Sequence, residues 1–408
     1  MIKNRDIIAF GLPPWDSNIA TTLNYTAIEM SKHNRVLFVN PPLNRFTRIK
    51  DRKLPEVKKR VQVIRGKLPD IEQVNDNMWV LTPRTIIESI NWISNPKIFD
   101  FINKINEKRL TTQIKKAIKR LNFKDYILFN DNSMIIGFYF VEMLRPAFSV
   151  YLLRDNVTLV SYHSKHGKRL EPILISKMDM LVANSDFFAD FCKKFNPHSY
   201  MIGQGCDLER YNGTDGNLNI PLDLKAIEKK PIIGYVGYLT SIRLDISVLV
   251  HIATERPNWS LVLVGPEDDF FKRSKLHSLT NVFFLGRKDP SELPGYIKGF
   301  DVAINPQIVN PITDINYPLK IDEYLAMGKP TVATRTSFMK YFENYVGLAS
   351  TKEEYIREIE NALTDNNLAN IKKRVEFAKT HSWEAFVNKI YGLIDEISME
   401  KAKNKKEK

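Results

Sequence analysis

Cysteine is scarce: Cys192 and Cys206 are the two in 408 residues. They can form neither a disulfide framework nor a cysteine metal cluster. The seven histidines show no ligand spacing. No apolar run reaches the roughly eighteen residues a bilayer-spanning helix needs. The opening Met-Ile-Lys-Asn-Arg-Asp lacks the apolar core of a signal peptide. Internal repeats are absent, and so are low-complexity tracts apart from the basic end. These absences lead us to expect a cytoplasmic protein. With 43% hydrophobic and 26% charged residues the composition is that of a globular chain, long enough at 408 residues for two domains.

Positive charge is in excess, with a net +13. Ten cations, Arg45, Arg48, Lys50, Arg52, Lys53, Lys58, Lys59, Arg60, Arg65 and Lys67, crowd one early stretch. The end, Lys401-Ala-Lys-Asn-Lys-Lys-Glu-Lys408, is a second cluster and reads as a basic disordered tail over 401–408. No nucleic-acid-binding motif accompanies the charge, so nucleic acid is not an expected partner. An anionic membrane surface is favoured for the early cluster, since each cation near anionic lipid contributes about 1 kcal/mol.

Short β-rich runs alternate with longer helical patterns along the whole chain. Strands are predicted at Asp6–Phe10, Arg35–Val39, Met78–Leu81, Tyr126–Phe129, Val150–Leu153, Met180–Ala183 and Tyr200–Ile202, then at Ile232–Val236, Ser260–Val264, Val282–Leu285, Val302–Asn305 and Thr331–Thr334. Most are apolar on both faces, as strands of a covered parallel sheet are. Helical periodicity fills Ala20–His33, Ile98–Leu121 and Asp245–Glu255. The fold class is therefore α/β with two doubly wound units. The polar turn run Tyr211–Asn219 marks the boundary, giving domains 1–210 and 225–380. The stripe Ile98, Phe101, Ile102, Ile105, Ile114, Ala117, Ile118 and Leu121 suits a bilayer surface, but a sheet-covering helix is the commoner origin.

One segment says most: Tyr317-Pro-Leu-Lys-Ile-Asp-Glu-Tyr-Leu-Ala-Met-Gly-Lys-Pro-Thr-Val-Ala-Thr334. Pro318 suits the first position of a helix, Gly328 and Pro330 stop it, and 331–334 reads as a buried strand. Lys320, Glu323 and Tyr324 are spaced to share one face at the helix's positive end. A cation, free backbone N–H groups and a carboxylate one turn deeper suit a ligand with a phosphate and a vicinal diol. A surface helix with a Lys–Glu pair is the plain alternative.

This segment resembles the donor-site signature of retaining glycosyltransferases of the GT-B fold, the group 1 enzymes of family 4, and within them the teichuronic-acid-type subgroup. The match is close over 317–334 and loose elsewhere. It implies two Rossmann-like domains facing across a cleft, the first on the acceptor side. The second would bind the nucleotide sugar, and a C-terminal helix over 381–400, beginning at His381-Ser-Trp, would cross back. It also implies that Glu323 grips the ribose and Lys320 the diphosphate, with Tyr317, Pro318 and Leu319 at the same site. No cofactor is implied beyond a nucleotide sugar co-substrate in a UDP or GDP form. The chain has no Asp-x-Asp, which argues against the metal-dependent GT-A class, and no metal site is expected.

Other candidates carry alternatives. Gly237 lies where strand turns to helix, a place for a bare backbone to approach phosphate. Arg243 is either a diphosphate ligand or a plain surface arginine. Gly286 and Arg287 resemble the loop lining the base pocket, whereas Asp289 and Ser291 read as helix caps. Asp155 either orients an acceptor hydroxyl or caps its own turn, and Glu171 resembles a family glutamate with a structural role. Gly11 resembles the family's acceptor-side loop glycine, and Trp15 either stacks on a sugar or packs. Gly203-Gln-Gly-Cys-Asp207 resembles the interdomain Asn-Gly-Val-Asp motif. The family carries another glutamate eight residues before Glu323. Here that position is Ile315, with Asp314 off register.

The resemblance thus implies a hexosyl-type transferase, anomeric configuration retained, moving a sugar from a nucleotide donor to a glycan or lipid-linked acceptor in envelope polysaccharide biosynthesis. It would be cytoplasmic or peripheral at the inner membrane face, with Lys320, Arg243 and Asp155 as its catalytic groups. A nucleotide-sugar 2-epimerase and a non-catalytic GT-B scaffold are the alternatives.

Overall fold

A computed structural model of the protein describes residues 2–17, 21–159, 161–213, 218–228, 230–311 and 313–406. The chain forms two compact units, Met1–Gly203 with Phe386–Lys408, and Gln204–Ala385.

The first unit holds β1 (Asp6–Gly11), β2 (Arg35–Val39), β3 (Leu43–Asn44), β4 (Ile71–Asn75), β5 (Met78–Leu81), β6 (Ile86–Ile87), β7 (Ile127–Asp131), β8 (Phe148–Leu153), β9 (Met180–Ala183) and β10 (Ser199–Met201). Eight of them form one sheet in the order β10-β9-β8-β7-β1-β2-β5-β4, and β3 pairs with β6 separately. Among the described residues of this sheet only the β4–β5 pairing is antiparallel. Strands β1, β7, β8 and β9 are buried along their whole length, which is why they read as mainly apolar runs rather than alternating ones; β7 ends on buried Asn130 and Asp131. The connectivity reverses between β1 and β7, so their C-terminal ends, Gly11 and Asp131, lie side by side in register.

The second unit holds β11 (Ile232–Val236), β12 (Ser260–Val264), β13 (Val282–Gly286), β14 (Val302–Asn305), β15 (Thr331–Thr334) and β16 (Gly347–Ala349). Its sheet runs β13-β12-β11-β14-β15-β16, parallel throughout. This is the strand order of dinucleotide-binding folds, with the reversal between β11 and β14. All twelve predicted strands are present within a residue or two. Strands β3, β4, β6 and β16 escaped sequence reading, being two to five residues long and, in β4, largely exposed.

Helix Thr22–Ser31 occupies the predicted 20–33 region, where Ala20 lies outside the described residues. Helix Pro96–Leu121 starts on Asn95, whose side chain accepts hydrogen bonds from Lys97 and Ile98 N–H, and ends on left-handed Asn122. Its predicted stripe splits. Ile114 and Ala117, joined by Leu110, pack into the core under the sheet, whereas Ile98, Phe101 and Ile105 are exposed.

Helix Trp383–Lys406 begins in the second unit and belongs to the first from Phe386 onward. There the Tyr391 hydroxyl accepts a hydrogen bond from Asn34 Nδ2 (2.8 Å). The expected disordered tail is corrected: the helix continues through Lys406, and Lys401 pairs with Asp179 and sits over the Phe148 ring at 5.3 Å. Residues 407–408 lie outside the described residues. Gly205 of the Gly203–Asp207 motif packs on the Trp383 ring, where a Cβ would come within 2.1 Å. The two chain crossings therefore run together inside the second unit. Among the described residues no helix is long and apolar enough to cross a membrane.

Candidate functional site

In the second unit the strand reversal creates the site. Counting on from the Gly234–Ala303 pair sets Val236 beside Asn305, the last residues of β11 and β14. Gly237 follows with φ +144°, and a Cβ there would meet the Tyr235 hydroxyl at 2.9 Å and the Lys320 side chain at 3.4 Å. Only glycine takes this conformation readily, and the bare backbone leaves room for an incoming group. Gly237 is held from behind: its N–H donates to Val264 O (2.9 Å), and Gly265 lacks the Cβ that would strike Gly237 O at 1.9 Å. Lys320 reaches over from the opposite side, its ammonium 5.2 Å from the centre of the Tyr235 ring. The sequence-distant Gly237 and Lys320 are thus neighbours.

Helix Lys320–Ala326 has seven residues, with Leu319 as N-cap. The expected ten-residue helix starting at Pro318 is corrected, because Ile321 N–H donates to Pro318 O and closes a tight turn ahead of the helix. Its end follows expectation: Gly328 is left-handed at φ +69°. The Tyr324 hydroxyl accepts from Val236 N–H (3.0 Å) and pins the helix to the end of β11.

Glu323 is half-buried, and loss of water raises its carboxyl to about 7, opposed by the charge of Lys320 and a hydrogen bond from the Tyr211 hydroxyl. Tyr211, itself buried, was read as part of a linker; an aromatic in a polar turn run gave no signal of this contact. Asn305 was also missed. It is buried, and neither atom of its amide finds a hydrogen-bond partner among the described residues, at a position where such a group costs about 1–3 kcal/mol.

Tyr317 departs from expectation, and the remaining candidates differ in their surroundings. Tyr317 is 6% exposed and its hydroxyl donates to Asp322 Oδ2 (2.5 Å), so it faces the core rather than a ligand. Asp322 Oδ1 bonds His381 Nδ1 (2.8 Å) and His381 Nε2 bonds the Tyr341 hydroxyl (2.8 Å). This chain, buried except at Tyr341 and enclosed by Phe338, Phe342 and Phe377, anchors the helix from beneath. Pro318 is buried and Leu319 borders solvent. Asp314 is committed to Ser337, accepting from its N–H (2.8 Å) and hydroxyl (2.7 Å). It therefore does not replace the carboxylate missing at Ile315. Arg243 is exposed, and its backbone O accepts from Ile308 N–H (2.8 Å). Gly286 ends β13 at φ +69° with open space where a Cβ would lie, and Arg287 beside it is exposed. Asp289 accepts from Ser291 N–H (2.9 Å) and hydroxyl (2.6 Å), the capping role expected of it.

In the first unit Gly11 packs against Asp131, where a Cβ would lie 3.2 Å from Asp131 Cβ. Buried Asp131 bonds Arg154 Nε (2.9 Å), and Arg154 also bonds Asp155 (2.5 Å). Burial pushes the Asp131 carboxyl up and Arg154 restrains it. Asp155 is thus the outer, half-exposed member of an Asp–Arg–Asp chain whose inner members the sequence reading missed. Trp15 packs edge-on against Phe38 at 5.3 Å. Glu171 accepts from the Tyr151 hydroxyl (2.9 Å) in the core, where burial raises it to about 7.

Comparisons with known proteins bear on the second unit and on the fold. Residues 230–365 match the family model described as glycosyl transferases group 1, so the second unit carries that domain. The chain is 28% identical over 253 residues to TuaH of Bacillus subtilis (strain 168), whose name places it in teichuronic acid biosynthesis as a glycosyltransferase. That alignment spans 58% of this chain and 62% of TuaH, less than two thirds of it. Two solved structures share the fold, each with a TM-score of 0.62: sucrose-phosphate synthase of Thermosynechococcus elongatus (15% identity, 97% of this chain and 100% of that one) and HepE of Anabaena with UDP and glucose (14% identity, 96% and 100%). The fold is GT-B.

Proposed function

We propose that the protein is a glycosyltransferase of the group 1 type, taking a nucleotide sugar in its second unit and a glycan or lipid-linked acceptor in its first. The observation that carries the reading is the meeting of Lys320, Gly237 and half-buried Glu323 at the β11–β14 reversal. TuaH, by its name, and HepE, by its bound UDP, are consistent with a sugar-nucleotide donor and with envelope polysaccharide synthesis.

In this reading Glu323 accepts hydrogen bonds from the ribose hydroxyls, with Tyr211 holding its carboxylate in place. The Gly237 turn admits the diphosphate, and Lys320 with Arg243 neutralises it. Negative charge grows on the diphosphate as the sugar leaves, so fixed cations there stabilise the transition state more than the bound ground state. Asn305 offers a donor and an acceptor at the strand end, and Gly286 and Arg287 border the base. Asp155, oriented by Arg154, receives the acceptor hydroxyl. The configuration is retained, and no metal ion takes part. The chain works at the inner face of the membrane.

Asp314, locked on Ser337, leaves the position of Ile315 without a carboxylate, and this favours a non-catalytic binding protein as the second reading. Incubation with UDP-, GDP- and TDP-sugars, with and without a lipid extract as acceptor, decides between them. Nucleotide release that needs the extract supports transfer. Isomerisation without it indicates an epimerase, and no turnover with any donor indicates a binding protein.

A further inference from the structure

We propose that the first unit docks on an anionic bilayer through one apolar patch made by Trp92, Ile98, Phe101 and Ile105 with Phe46 and Ile49. Trp92 is 75% exposed, Phe101 68%, Ile49 67% and Phe46 60%. Large apolar side chains do not gather at such exposure on a surface that meets only water.

The side chains belong to one surface. At about 100° per residue, Phe101, Ile105 and Ile98 of helix Pro96–Leu121 fall within a 60° arc. Lys97, Lys104 and Lys108 form a strip along one border of that arc, and all six residues are exposed. Arg109 lies on the other border and bonds Glu88 (3.2 Å), and Glu88 also takes Arg45 at 2.8 Å. Arg45 opens the short helix that carries Phe46 and Ile49. Ser89 completes the join: its hydroxyl accepts from Phe46 N–H (3.2 Å) and its carbonyl from the Trp92 indole (2.7 Å). With its N–H satisfied inward, the indole presents its apolar ring outward.

Charge complementarity selects the occupant. Beyond Phe46 and Ile49 the exposed Arg48, Lys50, Arg52 and Lys53 continue the cationic rim, and no acidic residue interrupts the exposed arc of the long helix. An aromatic and aliphatic centre inside a ring of lysines and arginines fits the headgroup boundary of an anionic membrane, where rings and aliphatic chains enter and cations stay with the phosphates. Lys59 and Arg60, by contrast, lie within 4 Å of Asp16, so the active part of the basic stretch is its first half. A cavity of about 330 Å³ under this surface is lined by Asn44 and Thr47 from the patch side and by Leu12 and Asn132 from the strand ends. Its lining runs from the segment that carries Phe46 to the end of the sheet assigned to the acceptor.

The inference deepens the membrane-facing part of the proposed function and rests on that reading for its purpose. Docking is measured without turnover, so the two can fail separately. The full chain is sedimented with phosphatidylcholine vesicles, with and without phosphatidylglycerol, at low and high salt. Native protein is expected to pellet with the anionic vesicles, more weakly but still measurably at high salt. Phe101→Ser with Ile105→Ser is expected to lower partitioning at least tenfold at both salts, with an unchanged melting temperature and nucleotide affinity. Lys97, Lys104 and Lys108 changed together to Gln should remove mainly the low-salt share. Brominated lipid should quench native fluorescence and lose most of that effect in Trp92→Phe, although four other tryptophans remain. Equal pelleting of native and Phe101/Ile105 variants, unchanged quenching in Trp92→Phe, or a self-association in solution that the Phe101/Ile105 change abolishes would overturn the proposal.

Discussion

Glu323→Gln separates stability from function. In the folded protein the Glu323 carboxyl is raised from 4.5 to about 7, chiefly by loss of water. A group raised in this way contributes stability that is complete below its unfolded value and lost as pH rises through its folded one. The interval of about 2.5 pH units corresponds to at most about 3.4 kcal/mol at 1.36 kcal/mol per unit. Since the side chain keeps some contact with water, about 1–2 kcal/mol is the realistic part. Glutamine keeps the shape and can still accept the Tyr211 hydrogen bond but does not ionise. The variant is therefore expected to melt with the native protein near pH 5 and above it near pH 8.5. At roughly 2–4 °C per kcal/mol the upper gap is a few degrees. Calorimetric scans of both proteins across this range measure it, with titrations of UDP and GDP showing weaker binding by the more stable variant. A gap that does not change with pH, or a variant that melts below the native protein at pH 8.5, would refute the reasoning.

Lys320→Ala should lower kcat about a hundredfold or more, as for loss of one preorganised group, and should weaken a nucleoside diphosphate far more than the free nucleoside. Equal losses by calorimetry would remove Lys320 from the phosphate. Gly237→Ala forces a side chain into φ +144° against the Tyr235 hydroxyl, which should cost about 1–3 kcal/mol in urea unfolding and most nucleotide affinity. An unaffected affinity would contradict the role given to that turn. Asp322→Ala strands the Tyr317 hydroxyl and His381 in an aromatic core and should destabilise by about 2–4 kcal/mol, at about 1–3 kcal/mol for each buried group left without a partner. A loss below about 1 kcal/mol would show that the chain of hydrogen bonds does not anchor the helix.

Strands were legible because those buried on both faces are runs of one kind of residue, and Gly328 was legible because a left-handed helix end demands it. The start of helix Lys320–Ala326 was not. Pro318 satisfies a first helical position and a preceding turn equally well, and the Ile321–Pro318 bond decides for the turn. Within the site, Lys320 and Glu323 came from local spacing. Asn305, Tyr211 and the Asp322–His381 pair depend on contacts across the fold, the last over 59 residues, and no local pattern encodes them. Tyr317 misled because a conserved-looking motif position says nothing of which way a ring points. The basic end misled because charge alone reads as disorder, while helix Trp383–Lys406 and the Lys401–Asp179 pair hold it in place.

A crystal structure with a bound nucleoside diphosphate, chosen from UDP and GDP by the tighter titration, shows whether the second unit holds the donor as proposed. The ribose hydroxyls are expected on the Glu323 carboxylate, the diphosphate within hydrogen-bond reach of the Lys320 ammonium beside the Gly237 turn, and the base near Gly286 and Arg287. A nucleotide seated away from the β11–β14 reversal, or one whose diphosphate leaves Lys320 untouched, would contradict that placement.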